Sequence, residues 1–162
     1  MGIDPDGELA EVAAGFSLDM AVLERSHGVD AVELALRSAG RSGSAPEARP
    51  ARAAVVVQLR AGLPAGTPGT ITGRLPGIGP LPARHDEVDV VAVSGYAPGD
   101  RLDGWYDALL ATVSAAGPNT ATAARAASDA LSGLTDVGVP HDGAEVCAVL
   151  GRLADGSTVP TP

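Results

Sequence analysis

Residues 85–95 read HDEVDVVAVSG, and residues 141–151 read HDGAEVCAVLG. The two stretches share His, Asp, an acidic residue, Val, Ala, Val and Gly in register. Each reads as a turn, where Asp can bond its own backbone, leading into an apolar run of strand length. Read alike, they give buried strands at 88–94 and 145–150. The link from 94 to 145 is long enough for a right-handed crossover that sets the two parallel. An antiparallel hairpin between 145–150 and 157–160 is the other pairing open to the second run.

Outward from this pair, AAVVVQLR at 53–60 reads as a third strand. Its consecutive valines leave no polar side, so both faces are expected to be covered. Between the strands, residues 61–82 are half glycine and proline. Only Thr70-Ile71-Thr72 could pair there, as a short edge strand. The stretch reads as a long ordered loop, a lid, or an arm that orders against a partner.

Leu9, Val12, Ala13, Phe16, Met20 and Leu23 recur at helical spacing, and Gly28 breaks the pattern. Asp30 to Glu33 then opens a shorter helix that Gly40 ends, and His27 sits where a helix C-terminus favours a cation. Leu102, Trp105 or Tyr106, Leu109, Leu110 and Val113 make a further helical stripe, stopped at Gly117-Pro118. Asn119 or Thr120 caps an alanine-rich helix to about Leu131. The fold class expected is α/β or α+β, a small sheet of about three to five strands covered by helices. N-terminal helices occupy 1–40, a Pro/Ser-rich linker 41–52 and the α/β core 53–162, as one compact domain.

The net charge is −9, with eleven arginines and no lysine. Phosphate-backbone binding draws on clustered cations, so nucleic acid is not an expected partner. Absence of lysine also excludes a Walker A loop, and Pro80 to Pro82 cannot open the helix that a dinucleotide fingerprint needs. Aromatics supply 2% of the chain, too few to stack a base. Cys147 is the single cysteine, which excludes a disulfide and a cysteine-based zinc site. An acidic N-terminus without a signal peptide, and no apolar run of membrane length, point to a cytoplasmic protein. The Ala, Gly, Arg and Pro bias suggests a high-GC bacterial or phage gene.

Two places could carry chemistry. His85, Asp86, His141 and Asp142 would form an acceptable metal ligand set if their strands were parallel neighbours. Strand N-terminal edges are the wrong side for ligands in open α/β sheets, so the repeat is read as structural and no cofactor is expected. At the exit of strand 88–94, Ser94, Tyr96, Asp100 and Asp103 are the catalytic candidates. Gly95, Gly99 and Arg101 are the ligand-binding ones, facing a helix N-terminus that would favour a small anion. With no catalytic signature, the leading expectation is a non-catalytic interaction or assembly module that forms a homo- or hetero-oligomer. A small enzyme acting on a polar or anionic metabolite at that strand exit is the alternative, and a metal-binding protein the second.

Overall fold

The computed structural model describes residues 17–40, 50–75, 87–105, 109–133 and 136–156 in full, and the backbone of 2–3, 9–11 and 79–81. The elements run β1 (Gly2–Ile3), β2 (Leu9–Glu11), α1 (Leu18–His27), α2 (Ala31–Gly40), β3 (Ala53–Arg60), β4 (Gly69–Thr70), β5 (Gly79–Leu81), β6 (Asp89–Ser94), β7 (Arg101–Leu102), β8 (Leu109–Gly117), α3 (Thr120–Ser132) and α4 (Gly143–Ala154). The main sheet has four strands in the order β3-β8-β6-β5, and every neighbouring pair is antiparallel. The chain is therefore a mixed α/β fold, as its sequence suggests, without the parallel crossover.

Two segments change identity relative to the sequence reading. Residues 109–117, LLATVSAAG, form the central strand rather than the end of a helix. β8 pairs with β3 on one side and β6 on the other, and most of it is buried. Its apolar residues fit a helical stripe and a two-sided strand equally well. Two features favour the strand: Thr112 and Val113 are β-branched, and Gly104 has a φ of +73°, which halts any helix begun at Leu102. Residues 145–150 belong to α4 instead of a strand. Val146, Cys147, Leu150, Leu153 and Ala154 all meet the core, at the three- and four-residue steps of a helix face. Neither the crossover nor the 145–150 strand hairpin exists. The free Cys147 is half-buried within that face.

One side of the sheet carries the core. Val55, Leu59, Val90, Ala92, Ala111, Val113 and Ala115 pack with Ala123, Ala124, Ala127 and Leu131 of α3 and with Leu150 of α4. Alanines on α3 let its backbone lie close to the strands. Asn119 starts this helix, its Oδ1 accepting from the Thr122 amide at 2.9 Å. α1 packs on β3 and β8, where Ser114 and Ala116, on the face away from α3, are buried. The N-terminal periodicity becomes β2 and then α1, with Val12 to Phe16 outside the described residues. Gly28 ends α1 as expected. Asp30 Oδ1 accepts from the Glu33 amide at 2.8 Å, and Glu24 Oε1 from the Ala31 amide at 2.9 Å, which joins α1 to α2.

Within the Gly/Pro-rich stretch, residues 61–75 form an ordered loop packed into the main core, and Gly79–Leu81 supplies the edge strand β5, where the sequence offered pairing only at Thr70 to Thr72. Ile71 is fully buried and Leu75 nearly so. Its backbone bonds two other loops at once: Ile71 N–H to Asp100 O at 2.9 Å, Gly99 N–H to Ile71 O at 2.7 Å, Gly66 N–H to Gly104 O at 2.8 Å and Thr72 N–H to Val137 O at 3.1 Å. β4 pairs with β7 in the same junction.

Candidate functional site

The exit of β6 is built as a closed turn. Ser94 Oγ lies 3.0 Å from the Leu110 carbonyl and 3.1 Å from that of Tyr96, and accepts from the Tyr96 amide at 3.2 Å. Its hydroxyl is committed to the backbone that turns away from the sheet. Tyr96 is half-buried and packs against the core. Asp100 Oδ2 accepts from the Ala97 amide at 2.7 Å, and Asp103 Oδ1 from the Trp105 amide at 3.0 Å. Both carboxylates cap turns, since no helix begins here. The helix N-terminus expected to favour an anion at Asp100–Asp103 is replaced by β7 and β8, so its macrodipole does not act at this place.

The surface of this turn remains open. A β-carbon on Gly95 or Gly99 would meet nothing within 4 Å. The Arg101 side chain is exposed, with no hydrogen-bond partner among the described residues. Trp105 is 73% exposed, its ring lying over Gly66. Trp105 entered the sequence reading only as a helix residue; with the helix replaced by β7 and a turn, its ring is presented to solvent.

The second histidine-aspartate pair is a structural clasp. Asp142 Oδ1 accepts from the Arg60 amide at 2.8 Å, and Arg60 O accepts from the Asp142 amide at 3.1 Å. His141 Nδ1 accepts from the Gly143 amide at 3.1 Å, and the residue bridges to Ala61. These bonds dock the start of α4 on the end of β3. His85 and Asp86 lie outside the described residues, so the paired arrangement is not described. Among the described residues no group of three or more His, Cys, Asp or Glu gathers to hold a metal.

An electrostatic network missed by the sequence reading ties the opposite end of the sheet. Arg52, assigned to a linker, reaches Asp89 Oδ2 and Glu87 O, both at 2.5 Å, and Ala116 O at 3.1 Å. Arg25 of α1 donates to Asp89 O at 2.9 Å. The Arg52 hydrogen bond holds the Asp89 carboxyl below its usual value against the opposing effect of burial, with the Arg52 and Arg25 charges adding to the lowering.

No protein-family model and no curated protein matches the sequence. In fold, the chain is similar to the biotin carboxylase domain of Hydrogenobacter thermophilus 2-oxoglutarate carboxylase, with a TM-score of 0.70 and 18% identity over 96% of this chain and 35% of that one. That domain is described as a dimer in complex with MgADP, ADP and bicarbonate. Biotin carboxylase of Campylobacter jejuni is similar at a TM-score of 0.69 and 15% identity, over 95% of this chain and 35% of that one. Rhizobium etli pyruvate carboxylase gives 0.69 and 20%, over 97% and 17%. The chain thus spans about a third of the length of the biotin carboxylase chains. This likeness overturns the expectation of a non-catalytic assembly module, because the solved chains that share the fold are parts of enzymes. No helix among the described residues is long and apolar enough to cross a membrane.

Proposed function

We propose that the chain is a component of a biotin-carboxylase-like enzyme that handles a small anion of the bicarbonate type beside an adenine nucleotide. The observation that carries this reading is the agreement in fold along 96–97% of the chain with domains bound to bicarbonate or ADP. The complete reaction belongs to a larger assembly, of which this chain provides about a third by comparison. Residues 53–162 act as its α/β core, and the helices of 1–40 belong to the same compact domain through the packing of α1 on β3 and β8.

Within that component, Arg101 is the group assigned to the anion. Its side chain is exposed and unpartnered among the described residues, on the segment that follows the open Gly95 and Gly99 positions. A guanidinium can grip a planar carboxylate-like anion with two parallel hydrogen bonds. Ser94, Tyr96, Asp100 and Asp103 shape the turn that presents it. The test is calorimetric titration of the complete native assembly with MgADP and with bicarbonate. Both are expected to bind, and Arg101→Ala to weaken bicarbonate about tenfold while leaving MgADP unchanged. Failure of both ligands to bind the intact assembly would contradict the reading.

A further inference from the structure

Asp103 is followed by Gly104 in the turn between β7 and β8. In such a pair the main chain can rearrange through the aspartate side chain. The glycine carries no side chain of its own, so its amide nitrogen has open access to the preceding carboxyl carbon. The same pair occurs at Asp142-Gly143 and Asp155-Gly156, and at Asp6-Gly7 outside the described residues. The described pairs differ in where the carboxyl and the amide are held.

At Asp142 both reacting groups are committed elsewhere. Its Oδ1 accepts from the Arg60 amide on β3, and the Gly143 N–H donates to His141 Nδ1 at 3.1 Å. Gly143 is also buried at the start of α4. At Asp155 no hydrogen bond among the described residues turns the carboxyl toward Gly156. The Gly156 N–H is itself donated to Leu153 O at 3.3 Å.

Asp103 meets the conditions that the other two lack. It is exposed, and its Oδ1 accepts from the Trp105 amide two residues on. This Asx turn folds the carboxyl back over the Gly104 amide that lies between them. The Gly104 N–H makes no hydrogen bond among the described residues. Position 104 must also stay glycine, because its φ is +73° and a β-carbon would lie 2.2 Å from the Thr67 carbonyl oxygen. Asp136 forms a similar turn, its Oδ1 accepting from the Gly138 amide at 3.0 Å. There the residue in between is Val137, buried and β-branched, which obstructs the attack.

The geometry points to Asp103-Gly104 as a site of spontaneous isoaspartate formation in the folded chain. The Gly104 nitrogen bonds to Asp103 Cγ, and its proton leaves with the carboxyl hydroxyl as water, closing a succinimide ring. Water then adds at the Asp103 main-chain carbonyl carbon and breaks that carbon's bond to the Gly104 nitrogen. The main chain now runs through Cβ and Cγ, longer by a methylene, and the α-carboxyl is free. The added length falls beside Gly104 O, which accepts from the Gly66 amide at 2.8 Å, so the product loosens the junction with the Gly/Pro-rich loop. The reaction needs neither nucleotide nor anion and stands apart from the enzymatic reading.

The test is ageing of the purified folded chain at neutral pH beside a sample held in denaturant, then trypsin digestion and electron-transfer fragmentation. Cleavage after Arg101, Arg125 and Arg152 puts the three pairs in separate peptides. In denaturant the three should react at similar rates, because only local sequence then acts. In the folded chain isoaspartate at 103 should form at least about tenfold faster than at 142 or 155, a ratio within reach of held geometry. Comparable folded-state rates at the three pairs, a faster reaction at 142 or 155, or no product at 103 would each overturn the inference.

Discussion

Gly73 passes so close to Asp136 that a β-carbon on it would lie 1.5 Å from the Asp136 carbonyl oxygen. The contact is backbone against backbone, so no side-chain rotation can relieve it. It holds the Gly/Pro-rich loop against the segment that leads into α4. Gly104 makes a similar approach to Thr67, at 2.2 Å from its carbonyl oxygen. The loop is therefore welded to its neighbours at points where only glycine fits.

Replacing Gly73 by alanine should destabilise the chain by about 3 kcal/mol or more, because the clash must be absorbed by moving two loops. Gly99→Ala is the informative contrast. Gly99 has a φ of +100° with open space around it, so only the left-handed strain of about 1 kcal/mol applies. Denaturant titration of both variants checks this. Equal costs would mean that the Gly73–Asp136 approach is not tight in solution.

Asp142→Ala should cost about 1–2 kcal/mol, since the Arg60 amide loses its acceptor where β3 meets α4. Asp142→Asn, which keeps a carbonyl oxygen, should recover most of that. Thermal melts of the two variants read the difference. An alanine variant as stable as the wild type would remove the clasp between Asp142 and Arg60.

The Asp89–Arg52 pair gives a pH dependence with a defined sign. The folded-state pKa of Asp89 lies below its unfolded value, so the pair contributes stability above about pH 3.9 and loses it as pH falls toward the folded value. Side-chain exposures of 38% and 62% limit the effect to below about 1 kcal/mol. Asp89→Asn should remove that fraction of the acid sensitivity and leave neutral-pH stability slightly lower. A variant whose stability falls with acid as steeply as the wild type's would show that Asp89 is unpaired.

Parts of this architecture could be read from residue order because only one element explains them. AAVVVQLR has no polar face and is too short for a core helix, and it forms β3 with the expected bounds. Asn119 after Gly117-Pro118 marks the start of α3, as capping chemistry requires. LLATVSAAG and GAEVCAVLG are different. Each is an apolar run compatible with both periods, and tertiary pairing decides between them. The resemblance of 85–95 to 141–151 encouraged reading both as strands, yet the first leads into β6 and the second becomes α4. At the strand exit, Ser94, Asp100 and Arg101 were read from their order in the chain as one group, and Ser94 and Asp100 each bond the backbone of their own turn. What was not legible is that Asp100 and Asp103 cap turns, because that depended on the helix that β8 replaces. Arg52 reached Asp89 across 37 positions of sequence, a pairing no local pattern records.

The most direct measurement of the enzymatic reading is ADP formation from ATP by the complete native assembly that contains this chain, with and without bicarbonate. The expected result is nucleotide turnover that rises with bicarbonate and falls to background when the chain carries Gly73→Ala. Turnover indifferent to bicarbonate, or no turnover in an intact assembly, would contradict it.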